Sequence, residues 1–174
     1  YRQSDLLGEI IINAPGQFNV ANALAAVAAC YELEVPFETI ADGLQKYTGV
    51  GRRFETIGEA DGVLLVDDYA HHPSEIAATL AMAKKVYDRR VIVIYQPHLY
   101  SRTADFHQEI ADALALADIS YLVDIYPARE KPIEGITSKM IVEDAKKNNN
   151  DNFEYLGPKE NAVEKIMQTA RSGD

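Results

Sequence analysis

The sequence is poor in positive charge: 17 lysines and arginines face 27 aspartates and glutamates, for a formal charge of -10. It therefore lacks the basic footprint with which proteins neutralise nucleic-acid phosphates. Local basic pairs such as Arg52-Arg53 can still hold a small anion. The single cysteine, Cys30, excludes an intrachain disulfide and lies among alanines, where it reads as a buried small hydrophobe in a reducing compartment. No apolar run approaches the roughly 18 residues of a membrane span, and no charged-then-apolar leader opens the chain, so a cytoplasmic protein is expected. The four histidines form no HxxxH pair and have no second cysteine beside them, so the ligand spacing of a zinc site is not there. Internal repeats are lacking too, as is any GxxxxGK[ST] phosphate loop, which rules out P-loop activation of ATP by this chain alone. What remains is 174 residues with 47% hydrophobic content, enough for one full domain and a small appendage. Tyr1 stands where an initiator methionine would, so a piece of something longer is the expectation.

Taken in order, residues 8–12 read as a short strand closed by a turn over 13–16. An alanine-rich helix follows over 17–33, stopped by Pro36, and a second over 37–47. Two helices and one strand bury too little to close a core, so this part reads as the end of another domain or a docking arm. Beyond Gly51 the pattern becomes a hairpin, with strands over 52–57 and 62–67 and a turn over 58–61. Helices over 74–86, 103–117, 137–147 and 159–170 then alternate with strands over 91–95, 119–125 and 153–156. Such alternation predicts an α/β fold whose mostly parallel sheet is covered by helices on both faces.

Three loops at strand ends concentrate the chemistry. The first, Asp67-Asp68-Tyr69-Ala70-His71-His72-Pro73, crowds two carboxylates, a phenol and two imidazoles between a strand and a helix. Either aspartate could accept from a ribose hydroxyl or simply cap the helix at Pro73. Imidazoles beside a helix N-terminus are discouraged from protonating and suit neutral hydrogen bonding. The second loop, 95–103, follows the next strand and should face the first across one crevice, because successive parallel strands end on the same edge. In it Arg102 offers a fork for a carboxylate or phosphate, or a partner for Asp105, while Ser101 or Thr103 could cap the next helix. The third loop, 124–132, lies at the same edge, where its spacing suggests a loop lining the pocket, although charged loop residues are more often simply solvated. Arg52-Arg53, between the two parts, reads equally as a phosphate clamp or a surface pair.

In this order PGQFNVANALAA, GVGRRFE, DDYAHHPSE, QPHLYSRT and DIYPAREKPIEG resemble the C-terminal part of the Mur ligases, and within them the L-alanine-adding branch. The resemblance implies residues 1–49 as the helical tail of a central ATP-binding domain and 50–174 as a Rossmann-like C-terminal domain. It implies a ligase that uses ATP and Mg2+ to phosphorylate the lactyl carboxylate of UDP-N-acetylmuramate, after which the amine of L-alanine attacks the acyl phosphate in peptidoglycan synthesis. Carried over by position, Asn19 and Asn22 would read adenine, Arg53 would approach the ATP phosphates and assist catalysis, and Asp68 would hold the ribose. Tyr69, His71, His98 and Arg102 would line the pocket for L-alanine and the activated muramoyl group, with His71 catalytic. Two departures stand out: Phe18 and Leu99 occupy places where the family often writes histidine and arginine, which leaves Arg102 more of the carboxylate binding. The recycling ligase that attaches a ready-made tripeptide shares the first loop and is the alternative within the family. From other classes, a receiver-like switch would use Asp67-Asp68, Asp124 and Lys159 but leave the double histidine and Arg102 unexplained, and a non-catalytic nucleotide-binding module is the third reading. The chain by itself is expected to be inactive.

Overall fold

The computed structural model describes residues 6–14 and 16–174; residues 1–5 and Pro15, which belongs to the expected 13–16 turn and to the PGQFNVANALAA motif, lie outside them. The chain divides into two compact units, Tyr1–Glu55 and Thr56–Asp174.

In the first unit, α1 (Gln17–Glu32) and α2 (Phe37–Lys46) pack against one another. Alanines favour α1, and Pro36, which cannot continue it, stands immediately before α2 in an extended conformation. Ile40 is the one buried hydrophobic residue among those described in this unit, and Val20 and Leu24 stay exposed. Because α1 buries none of its residues, Cys30 is half-buried and not the core residue expected. The expected strand over 8–12 does not form either: 6–13 is irregular, since a strand needs a ladder partner and the described residues of this unit offer none. The segment is instead held by side-chain contacts. Gly8 lies against the Phe37 ring, which a Cβ would meet at 2.4 Å, and Asn13 Nδ2 donates to the Gln45 carbonyl at 2.6 Å.

The second unit opens on a hairpin of β1 (Glu55–Ala60) and β2 (Val63–Asp67). Its turn is Asp61-Gly62, both at positive φ (52° and 77°), the two-residue turn whose twist matches the strands. The turn therefore overlaps only the last residue of the 58–61 span expected, the rest of which is β1. There follow α3 (Pro73–Val86), β3 (Ile92–Tyr95), α4 (Tyr100–Leu114), β4 (Ile119–Val123), α5 (Lys139–Lys147), β5 (Phe153–Gly157) and α6 (Asn161–Thr169). The strands β3, β4 and β5 form a parallel sheet in that order. β2 is not its neighbour, contrary to the ladder assumed for the first two loops: Leu64 N–H donates to the Asp174 carbonyl and Gly173 N–H to the Gly62 carbonyl, so 173–174 bond to β2.

Helices cover both faces of this sheet. Consecutive residues Ser120 to Val123 of β4 are all buried, which requires cover on each side because neighbouring side chains point oppositely. Leu122 enters a core with Ile76 and Leu80 of α3, Ile110 and Leu114 of α4, and Ile141 of α5. Tyr121, on the opposite face, meets α6: its hydroxyl bonds Thr169 Oγ1 at 3.0 Å and Lys165 Nζ lies 5.4 Å from its ring centre.

Candidate functional site: three loops at one sheet edge

The first loop is set by the start of α3. Pro73 occupies the first helical position, where its lack of an N–H costs nothing. His72 caps the helix: its Nδ1 accepts from Ser74 N–H at 3.4 Å, while Glu75 Oε2 accepts from the N–H of His71 (3.1 Å) and of His72 (3.2 Å). The cap considered for Asp67 or Asp68 is thus made by His72, because a cap must immediately precede the first helical residue. Asp68 Oδ1 instead accepts from Ala70 N–H at 2.7 Å and shapes the loop. The His72 ring packs on Phe106 of α4 at 5.2 Å, which leaves His71 as the imidazole of the crevice.

Loops two and three are joined by main chain. Tyr126 N–H donates to the Pro97 carbonyl at 2.8 Å and Leu99 N–H to the Tyr126 carbonyl at 3.0 Å, a parallel bridge that continues the sheet past β3 and β4. Leu99 holds φ 75°, a conformation costly for a branched side chain, and α4 starts immediately after it. Helix α4 begins three residues before the expected position 103, so Ser101, Arg102 and Thr103 lie inside it. Neither Ser101 nor Thr103 acts as the cap expected of them. Thr103 Oγ1 bonds back to the Leu99 carbonyl at 2.9 Å, and the exposed first-turn N–H of Ser101 is taken at 3.0 Å by Glu130 Oε2, from the third loop.

The three loops bring together four expected residues. The His71 and His98 rings are 6.2 Å apart centre to centre, Tyr69 lies 5.0 Å from His71, and Tyr126 lies 5.7 Å from His98. Arg102 Nη1 reaches His98 Nδ1 at 3.2 Å and the His98 carbonyl at 3.4 Å, so it is turned toward the crevice. These contacts assign the ring protons. Since a carbonyl only accepts, the 2.9 Å contact from His71 Nδ1 to the Tyr69 carbonyl places N–H on Nδ1, and in the neutral ring Nε2 is the acceptor. Since a guanidinium only donates, His98 Nδ1 is the acceptor and its Nε2 carries the hydrogen. The two rings therefore present opposite poles to the crevice.

Electrostatics agree with that assignment. Burial, then the Arg102 cation, then His71 hold the His98 imidazole below its ordinary value, with Glu130 acting in the opposite sense. Beneath them, burial pushes the Tyr95 phenol up to about 12, Arg102 opposing and Glu75 adding; its hydroxyl is a buried side-chain atom with no hydrogen-bond partner among the described residues. Glu130 is held below the ordinary carboxylate range by hydrogen bonds from the Ser101 hydroxyl and N–H, with the Arg102 cation also contributing. The third loop therefore lines the crevice, as its place at the same edge suggested, and is not merely solvated; Glu130 and Tyr126 are members of the site that the sequence did not single out. Nothing in the local pattern flags them; only the bridge from Tyr126 to residues 97–99 does. Asp124, the acceptor in the receiver-like reading, is instead bonded by the Tyr155 hydroxyl, and Gln96 Nε2 donates to its carbonyl at 3.1 Å.

The remaining expected residues belong to the first unit. Asn19 and Asn22, on successive turns of α1, line a cleft of about 320 Å³ with Ile12, Ala23, Leu44 and Tyr47. Arg53 is not among its lining residues; it sits in the bend before β1, where its N–H donates to the Val50 carbonyl at 3.2 Å. No group of three His, Cys, Asp or Glu side chains able to hold a metal ion converges among the described residues. No described helix is long and apolar enough to cross a membrane.

Residues 52–174 match the family model described as Mur ligase, glutamate ligase domain. A UDP-N-acetylmuramate–L-alanine ligase of Geotalea uraniireducens is 46% identical over 169 residues, covering 97% of this chain and 37% of its own length. Among solved structures, the UDP-N-acetylmuramate-alanine ligase of Thermotoga maritima superposes with TM-score 0.72 at 26% identity, over 96% of this chain and 37% of that one. A murein peptide ligase of Psychrobacter arcticus gives 0.69 at 28% identity, over 95% and 34%. The chain thus spans little more than a third of the relatives it matches. With most of its length matched by that model, and with its conformation shared by these ligases, the chain belongs to the Mur ligase family.

Proposed function

We propose that the chain is the C-terminal part of an ATP-dependent ligase that joins L-alanine to UDP-N-acetylmuramate in the cytoplasm, through an acyl phosphate. The observation that carries this reading is the 46% identity, across nearly the whole chain, to a ligase of that name. The crevice suits the amino-acid half of the reaction. Arg102 takes the alanine carboxylate, with the His98 Nε2–H as a second donor, and Tyr69 bounds the side-chain end. The acceptor nitrogen of His71 takes a proton as the ammonium of alanine becomes the attacking amine; the C–N bond forms as the acyl-phosphate C–O bond breaks, and phosphate leaves with the second proton shed by the nitrogen. The first unit is the tail of an ATP-binding domain, in which Asn19 and Asn22 read the adenine and Arg53 approaches the phosphates. The Mg2+ that accompanies ATP is assigned, like the phosphate loop, to the rest of the full-length protein.

The test is ADP release by the full-length protein. ATP, UDP-N-acetylmuramate and L-alanine together should release ADP, and omission of either acceptor should abolish it. Release that ignores L-alanine would refute the proposal.

A further inference from the structure

We propose that Glu130 is a positioning residue for the incoming amino acid: by clamping Ser101 it fixes Arg102 and His98 in the geometry that receives a carboxylate. The inference deepens the proposed function and rests on reading the crevice as the amino-acid site.

The argument starts from an incomplete helix end. Helix α4 begins after Leu99 with no side-chain cap of its own, so its first-turn N–H groups need acceptors from elsewhere. Glu130, 29 residues further along, supplies both oxygens: Oε2 accepts from Ser101 N–H at 3.0 Å and Oε1 accepts from the Ser101 hydroxyl. The next residue is Arg102, whose Nη1 donates to His98 Nδ1 and to the His98 carbonyl. A continuous chain of contacts thus runs from Glu130 through Ser101 and Arg102 to the ring of His98. Leu99 is pinned inside it, its N–H on the Tyr126 carbonyl and its carbonyl accepting from Thr103 N–H at 3.2 Å and Oγ1 at 2.9 Å. A positive-φ leucine persists only where its surroundings hold it, and Glu130 supplies one side of that hold.

Charge points the same way. The groups facing His98 are Arg102 from α4, His71 from the first loop with Glu75 behind it, and Tyr126 and Glu130 from the third loop. Of these, Glu130 is the anion that offsets Arg102, so it tempers the repulsion between Arg102 and the His98 ring. Both of its oxygens are engaged by Ser101, which makes it a clamp and not a base.

The test compares wild type, Glu130→Ala and Glu130→Gln in the full-length protein, with ADP release followed at saturating ATP and UDP-N-acetylmuramate while L-alanine is varied. Glu130→Ala should raise the KM for L-alanine roughly tenfold with kcat within about twofold, the pattern of a lost binding geometry. Glu130→Gln keeps an acceptor for Ser101, so KM should stay near wild type. An unchanged KM in Glu130→Ala, or a KM raised as far in Glu130→Gln, would overturn the proposal. Wild type inactive with L-alanine would instead defeat the proposed function. The chain of 174 residues then decides the clamp alone: Glu130→Ala should shift the NMR signals of the Arg102 and His98 side chains while Glu130→Gln leaves them near wild type, and Glu130→Ala signals coincident with wild type would refute it.

Discussion

Replacing Asp144 by asparagine should destabilise the second unit by about 1–2 kcal/mol, and the loss should fade in acid. The Asp144 side chain is 6% exposed and is held from two sides, by His107 Nδ1 of α4 and by Lys147 Nζ at 2.7 Å. The Lys147 side chain is 71% exposed, so its pairing is largely screened by solvent and contributes little. The His107 side chain is 23% exposed, and its bond to a carboxylate is the sheltered one, worth about 1.5–3 kcal/mol against roughly 0.5–1.5 for the neutral bond an asparagine could keep. The difference is the expected loss, which for a chain of this size lowers the melting temperature by about 3–6 °C. Burial opposes ionisation of Asp144, but the bonds from Lys147 and His107 outweigh it and hold the carboxyl below 3.8. A depressed folded value means that the unfolded chain binds the proton first on acidification. The stabilisation is therefore complete above the unfolded value and disappears as pH falls through the folded one. Thermal melts of both proteins between about pH 7 and pH 2.5 measure this directly. Equal melting at neutral pH, or a gap that persists undiminished at the acid end, would refute the reasoning.

Arg102→Lys should raise the KM for L-alanine about tenfold to a hundredfold in the full-length protein, because an ammonium cannot reproduce the fork that reaches both His98 and a carboxylate; steady-state ADP release checks this. Asp124→Asn should bring the Tyr155 phenol down from about 12 toward about 10, since the hydrogen bond to the Asp124 carboxylate is the largest cause of its elevation; ultraviolet titration reports it. Leu122→Ala, at a fully buried position between three helices and the sheet, should cost about 2–5 kcal/mol, read from denaturant unfolding of the chain.

The sheet domain was legible where local rules decide. Alternating apolar runs and helices marked β3 to α6, whose central strand β4 is buried on both faces, and Pro36 and Pro73 punctuate helices by what proline cannot do. What escaped depended on distant partners. A strand at 8–12 was expected from apolarity alone, although a strand exists only where another can pair with it. The hairpin turn was placed too early, though Asp61-Gly62 is itself a readable turn signal. The start of α4 was misplaced because its cap comes from Glu130, whose role no local pattern encodes. The convergence of Tyr69, His71, His98 and Arg102 was expected from adjacent parallel strands; the loops do meet, but through α3 packed on α4 and the bridge between residues 98 and 126, since β2 pairs with β1.

The reading that separates the two nearest ligase chemistries is product identity. Full-length protein should be given ATP, UDP-N-acetylmuramate and equal L-alanine and tripeptide, and the nucleotide product identified by mass spectrometry. A UDP-N-acetylmuramoyl product carrying one alanine is the expected result; a product carrying the tripeptide would contradict it.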